Sequence, residues 1–92
     1  MKISKEGVAI TKRFFEAIEL LKAQKTIRGL QTFTRNNNIN YWNITTVRNN
    51  PEVSVLKPEW INFLVTDYDI SAEWIITGKG NVFNKNVQKL IF

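Results

Sequence analysis

The 92-residue sequence contains no cysteine and no histidine. Without cysteine the chain has no disulfide, no thiolate nucleophile and no cysteine-based zinc site. Without histidine it lacks the commonest general base and a common metal ligand. Its three serines, Ser4, Ser54 and Ser71, have no evident activating partner along the sequence. We therefore expect no enzymatic activity, and no metal or other cofactor.

Motifs for binding metals or small ligands are also scarce. Asp67 and Asp69 form the closest pair of carboxylates, and a solvated turn is the simpler interpretation of this pair than a divalent-metal site. The segment TGKG at 77–80 lacks the G-x-x-x-x-G-K spacing of a phosphate-binding loop. No small-molecule ligand is expected.

Long hydrophobic runs are absent as well. No stretch approaches the roughly 20 apolar residues that a membrane span requires, and no apolar segment follows the N-terminus as in a signal peptide. The length is typical of a single domain. We predict a cytoplasmic protein without membrane association, with a flexible lead-in at 1–8, one domain at 9–83 and a C-terminal tail at 84–92.

Acidic residues are missing from the middle of the chain. The net charge is +5, and no aspartate or glutamate occurs between Glu19 and Glu52. Five basic residues fall in that interval: Lys22, Lys25, Arg28, Arg35 and Arg48. A segment with charge of one sign favours a polyanionic partner, although a solvated face of a basic protein has the same composition.

What the sequence does contain is helical periodicity. Apolar residues recur at three- and four-residue steps over 9–24 and predict a first helix. Gly29, Asn40, Pro58 and Ser71 suit the starts of four further helices, near 30–36, 41–49, 58–68 and 72–77. Gly78 is a typical stop for the last one. The predicted core comprises Phe14, Ile18, Leu21, Phe33, Ile44, Val47, Trp60, Leu64 and Trp74.

The segment NNNINYWNITTVRNN at 36–50 is unusually rich in asparagine and has no acid. Asn38 suits a turn because asparagine tolerates the left-handed conformation. On a wheel of 100° per residue, Ile44 and Val47 face the core of helix 41–49. Trp42, Thr45, Thr46 and Asn49 face the opposite side, with Tyr41 and Arg48 on one flank. The wheel therefore predicts an exposed indole among hydrogen-bonding groups.

A helix-turn-helix unit consists of two helices joined by a short turn, and the second helix is polar on its outer face. The pattern resembles the Cro/phage-repressor family, also called the XRE family. Phe33 and Ile44 match its apolar anchors, Asn38 stands at its turn position and Ile39 follows it. WIITGKG at 74–80 resembles a C-terminal W-[LI]-[LI]-T-G-x-G signature of many members. Thr34, Asn37 and Leu30 depart from the usual alanine, larger apolar residue and glutamine.

The resemblance implies an all-α fold, namely a five-helix lambda-repressor-like domain that binds double-stranded DNA and regulates transcription as a homodimer. Helix 41–49 would enter the major groove. The family's base-reading positions fall on Tyr41, Trp42 and Thr46, with Asn43 and Thr45 close by. Its phosphate-contacting positions fall on Arg35, Asn40 and Arg48.

Two other functions fit the same segment. A protein-interaction module, such as an adaptor or an antitoxin-like partner, would use Trp42 and the aromatic tail as its contact surface. A single-stranded nucleic-acid binder would stack bases on Tyr41 and Trp42. The aromatic outer face favours these two functions, whereas the acid-free interval favours a nucleic-acid partner.

Overall fold

The computed structural model describes residues 2–84, which form five α-helices and no β-strand. The helices are α1 (Lys5–Ala23), α2 (Leu30–Asn36), α3 (Tyr41–Asn49), α4 (Pro58–Tyr68) and α5 (Ala72–Thr77). Helix α1 packs against α3 and α5, and α4 packs against α5. The predicted all-α class with five helices is confirmed.

Helix α1 begins within the segment 1–8, four residues before the helix predicted at 9–24. The helix begins at Lys5, and the Ser4 hydroxyl accepts a hydrogen bond from the Gly7 N–H at 3.1 Å. The Ile3 N–H donates to the Glu52 carbonyl at 2.7 Å, which ties this end to the chain after α3. The periodicity did not indicate this earlier start because it relies on apolar content, whereas a serine cap starts a helix without apolar neighbours.

The predicted signals at the other helix ends are confirmed. The Asn40 side chain accepts from the Asn43 N–H at 3.1 Å, and the Ser71 hydroxyl accepts from the Trp74 N–H at 3.1 Å. Pro58 occupies the first turn of α4. Gly78 ends α5 with φ of 79°, in the left-handed region that favours glycine.

The core contains every residue that the periodicity assigned to it. Four further apolar residues are buried with them: Ala17, Ile27, Ile70 and Ile75. Ile27 reaches the core because Lys25, with φ of 65°, reverses the chain after α1. The N–H groups of Thr26 and Ile27 then both donate to the Leu21 carbonyl, at 2.9 and 3.4 Å.

Phe14 is at the centre of an aromatic cluster that joins three helices. Its ring lies 5.9 Å from the Phe33 ring of α2 and 6.5 Å from the Trp60 ring of α4, measured between centroids. The Phe33 ring in turn lies 6.0 Å from that of Tyr68. Such pairs stabilise by roughly 0.5–1.5 kcal/mol each beyond the area they bury. The cluster therefore fixes α2 against α1 and α4.

Arg13 connects α1 to the C-terminal end of α5. Its Nε donates to the Ile75 carbonyl at 2.7 Å, and its Nη2 donates to the Ile76 carbonyl at 3.0 Å. These are carbonyls that a helix end leaves without an intrahelical partner. A Cβ atom at Gly78 would lie 3.2 Å from Nη1 of Arg13, so the guanidinium also uses the space that glycine leaves.

We expect Phe33→Ala and Ile44→Ala each to lower the free energy of unfolding by about 2–5 kcal/mol, because both side chains are fully buried and truncation leaves a cavity. Val53→Ala is the matched control, since Val53 is 53% exposed. Urea titrations followed by far-UV circular dichroism measure the three differences. An Ile44→Ala variant as stable as the control would contradict this account of the core.

Candidate functional site

The turn between α2 and α3 is held by backbone and side-chain hydrogen bonds. Asn38 adopts φ of 56°, as the sequence predicted for a left-handed turn residue. The Ile39 N–H donates to the Thr34 carbonyl at 2.9 Å, and the Asn37 side-chain amide donates to the Phe33 carbonyl at 3.0 Å. These bonds fix the direction in which α3 leaves α2.

The unusual residues of α2 are accommodated within the helix. Thr34 is buried, and its hydroxyl donates to the Gln31 carbonyl at 3.0 Å, so no polar atom is left without a partner. Leu30 is half-buried and packs against the core. It therefore adds hydrophobic contact at a position where a glutamine would offer a hydrogen-bonding group.

The outer face of α3 presents one large aromatic ring among short polar side chains. Trp42 is 76% exposed, and Asn43, Thr46 and Asn49 are exposed beside it. The Thr46 hydroxyl donates to the Trp42 carbonyl at 2.8 Å and keeps its lone pairs available as acceptors. The rings of Tyr41 and Trp42 meet edge to face at 5.9 Å between centroids. The predicted exposure of Trp42 is confirmed.

Thr45 corrects the helical wheel, which placed it on the outer face. It is only 7% exposed, and its hydroxyl donates to the carbonyls of Tyr41 and Trp42 at 3.0 and 3.1 Å. The wheel placed Thr45 by its angle from Ile44 and Val47, which define only a narrow buried stripe. A threonine hydroxyl satisfied within its own helix can instead be buried, with its methyl group in the core. Thr45 therefore does not belong to the exposed face.

A groove beside α3 gathers most of the basic residues from the acid-free interval. This basic groove, of about 400 Å³, is open to solvent and lies between the end of α1, the α2 segment and one flank of α3. Glu19 is the single acidic residue among the described residues that line it. Its positive charge comes from Lys22, Arg28, Arg35 and Arg48, and the Tyr41 ring also lines it.

The basic groove includes two of the three predicted phosphate-contacting residues, Arg35 and Arg48, but not Asn40. It adds Lys22 and Arg28, which the resemblance did not assign. The acid-free interval contained the signal for both, since all four cations fall inside it. Tyr41 is half-buried and lines this groove together with Arg48, in keeping with the flank on which the wheel placed both residues.

Asn40 lies on the other side of α3, in a smaller groove of about 280 Å³ that we call the asparagine groove. Asn37, Asn38 and Asn43 line it together with Lys57. The Lys57 ammonium lies 5.9 Å from the centroid of the Trp60 ring. Lys57 was missed because it lies just outside the acid-free interval, five residues after Glu52. Glu59 also lines the asparagine groove and offsets the charge of Lys57, so the positive charge beside α3 is concentrated in the basic groove.

The described part of the chain has neither a cluster of metal-ligating side chains nor a helix that could span a membrane. Among residues 2–84, no three aspartate or glutamate side chains come together in a group that could hold a metal ion. No helix in the same range has the length and apolar character to cross a membrane. Asp69 ends α4 in the left-handed conformation with φ of 61°, consistent with the predicted turn.

Comparison of the chain with protein-family models, with curated proteins and with solved structures finds no match. Function is therefore inferred from the side chains of α3 and of the two grooves that border it. The likeness to the Cro/phage-repressor pattern stays a prediction from the sequence.

The burial of Thr45 predicts different responses to lysine at two adjacent positions. We expect Thr45→Lys to lower the free energy of unfolding by about 1–3 kcal/mol. The longer lysine side chain either overpacks the buried site or turns out to solvent and leaves the site unfilled. Thr46→Lys is the matched control and should change stability little, since Thr46 is exposed. Thermal melts of both variants make the comparison. Equal stability would mean that Thr45 faces outward as the wheel predicted.

Proposed function

We propose that this protein binds double-stranded DNA in a sequence-specific manner and regulates transcription. In this proposal α2, the turn at 37–40 and α3 form a helix-turn-helix unit of the lambda-repressor-like kind, and α3 enters the major groove. One observation carries the proposal. The polar outer face of α3 lies directly beside a groove that gathers Lys22, Arg28, Arg35 and Arg48.

The dimensions and chemistry of α3 suit a major groove. A helix with its side chains is about 10–12 Å across, and the major groove of B-DNA is about 12 Å wide. The Asn43 and Asn49 side-chain amides can each pair with an adenine edge, and Thr46 can contact several bases. Trp42 offers an apolar surface for a thymine methyl group or a sugar. These groups favour a site rich in A·T pairs.

The groups that border α3 support phosphate contacts, chiefly on the side of the basic groove. Arg35 and Arg48 in the basic groove, assisted by Lys22 and Arg28, would neutralise one strand of the duplex. Asn40 and Lys57 in the asparagine groove would approach the other strand. Such contacts give most of the affinity and set the register, whereas the face of α3 supplies sequence preference.

A homodimer is part of the proposal. A nine-residue helix is about 13.5 Å long and spans only a few base pairs, so one copy reads little sequence. Two copies related by a two-fold axis would read two half-sites about 34–36 Å apart along the duplex. The preferred DNA would then be palindromic.

The 76% exposure of Trp42 favours a second candidate function. An exposed indole can stack on an unpaired base, and the basic groove beside it could follow the backbone of a single strand. The same ring could instead anchor a protein partner, as in an adaptor or an antitoxin-like module. Duplex binding takes precedence because the exposed asparagines and Thr46 add base-edge hydrogen bonding that neither alternative needs.

Selection of bound duplexes from a random DNA pool tests the proposal. We expect an enriched palindromic motif. We also expect Trp42→Ala and Thr46→Ala to alter which bases are preferred. Each base interaction removed should reduce the free energy of discrimination between bases by roughly 1–3 kcal/mol. Thr66→Ala on α4 is the matched control, because its hydroxyl also donates to the carbonyl four residues earlier, at 2.9 Å. It should select the wild-type motif.

Two results of this selection would reject the proposal. Weak binding of all duplexes without enrichment would favour the protein-interaction module. Preference for a single-stranded oligonucleotide of the same composition, abolished in Trp42→Ala, would favour base stacking.

We expect the affinity for duplex DNA to fall steeply as salt is raised, because phosphate neutralisation releases counterions. With about three phosphates contacted by each protomer, a dimer should show a log–log slope near −5. Arg48→Ala should weaken all sequences alike and reduce the slope by about one for each phosphate that is no longer neutralised. Lys12→Ala is the control, since Lys12 is exposed on α1 outside the basic groove. A flat salt dependence would contradict the role of this groove.

A further inference from the structure

An apolar groove lies on a part of the molecule that α3 does not reach. It has a volume of about 320 Å³ and is lined mainly by Ile3, Ile10, Val55, Leu56, Ile61 and Ile76. These residues belong to the chain just before α1, to the N-terminal part of α1, to the segment before α4, to α4 and to α5. No charged side chain of residues 2–84 lines it.

The apolar groove is only partly covered by the described chain. Val55 is 57% exposed and Ile76 is 46% exposed, and both are large hydrophobic side chains. Covering such surface is favourable in proportion to the apolar area removed from water. The lining offers no ionic partner, so apolar side chains of a bound segment suit it best.

We propose that residues 87–92 of the same chain, VQKLIF, bind in the apolar groove. Four of these six residues, Val87, Leu90, Ile91 and Phe92, are apolar, which matches the character of the lining. Residues 85–92 lie outside the described part of the structure, and the inference rests on the groove, on this composition and on where residue 84 is held.

The chain is anchored close to the groove just before this segment. The Asn84 N–H donates to the Asp69 carbonyl at 3.0 Å, and the Val82 carbonyl accepts from the Ser71 N–H at 2.6 Å. Ser71 caps α5, and Ile76 of the groove lies five residues farther along. At 1.5 Å per residue that separation is about 7.5 Å. Eight extended residues span up to about 26–29 Å, so residues 87–92 can reach the groove.

Binding within one chain is favoured over binding between two copies. A short linker holds its segment at an effective concentration near the mM range, far above that of a second molecule in dilute solution. The proposal therefore commits to the chain's own tail, and exchange of this segment between two copies is the competing outcome. DNA binding is not required for this inference, since α3 contributes no residue to the apolar groove.

Disulfide trapping tests the proposal directly, because the natural chain has no cysteine. In a variant carrying Ile76→Cys and Leu90→Cys, we expect mild oxidation to yield mostly a monomer that migrates faster on a non-reducing gel. The control pairs Lys22→Cys with Leu90→Cys, since Lys22 lies in the basic groove far along α1. It should cross-link at least about tenfold more slowly if residue 90 is held near Ile76, a local effective concentration effect.

Two outcomes of the trapping would overturn the proposal. Covalent dimers as the main product would assign the groove to a second copy, and equal rates for the two pairs would mean that the segment does not bind there. Circular dichroism of both reduced variants checks that each is folded before the rates are compared.

A second measurement does not depend on cysteine. We expect Leu90→Ser to lower the melting temperature by about 4–8 °C, the shift typical of removing one packed apolar side chain from a domain of this size. Gln88→Ser, a polar change in the same segment, should leave it unchanged. Equal melting temperatures for Leu90→Ser, Gln88→Ser and the natural chain would count against the proposal even if cross-linking occurred.

Discussion

The contact between Phe14 and Phe33 is the interaction on which the rest of the structure depends. Both side chains are fully buried, and their rings meet at 5.9 Å between centroids. Phe33 is on α2, so this contact fixes α2 against the long helix α1. The turn bonds at Thr34 and Phe33 then set the direction of α3, and with it the position of Trp42 and Arg48. The outer face of α3 thus owes its orientation to a contact between two residues 19 positions apart.

In the fold, the hydrogen-bonding side chains of α3 and the basic side chains occupy separate surfaces, although the two kinds of residue are mixed along the sequence. Short polar groups and one indole occupy the outer face of α3, while the basic residues collect in the groove at its flank. Phosphates lie at the edges of a DNA groove and base edges at its floor, and the proposed binding of a duplex relies on this separation. Thr45 belongs to neither group, because its side chain is buried and its hydroxyl bonds within α3.

Much of the fold could be predicted because its signals are local. Caps such as Asn40 and Ser71, the turn residue Asn38 and the stop at Gly78 act through bonds within a few residues. Ile27 and Thr45 could not be predicted in the same way. Ile27 is buried by a chain reversal at Lys25, and Thr45 by a hydrogen bond that hides its polarity. The gathering of Lys22, Arg28, Arg35 and Arg48 in one groove was indicated by composition, but its location required the packing of α1 on α3.

The most direct test of the central claim is a titration of ¹⁵N-labelled protein with short A·T-rich duplexes, followed by amide and indole chemical shifts. The three tryptophans report separately, because Trp42 is exposed whereas Trp60 and Trp74 are buried. We expect large shifts for the Trp42 indole N–H, for the side-chain amides of Asn43 and Asn49 and for the backbone around Arg48, with Trp60 and Trp74 nearly unchanged. Shifts centred on the apolar groove at Ile61 and Ile76, or none at all at low salt, would contradict the proposed role of α3.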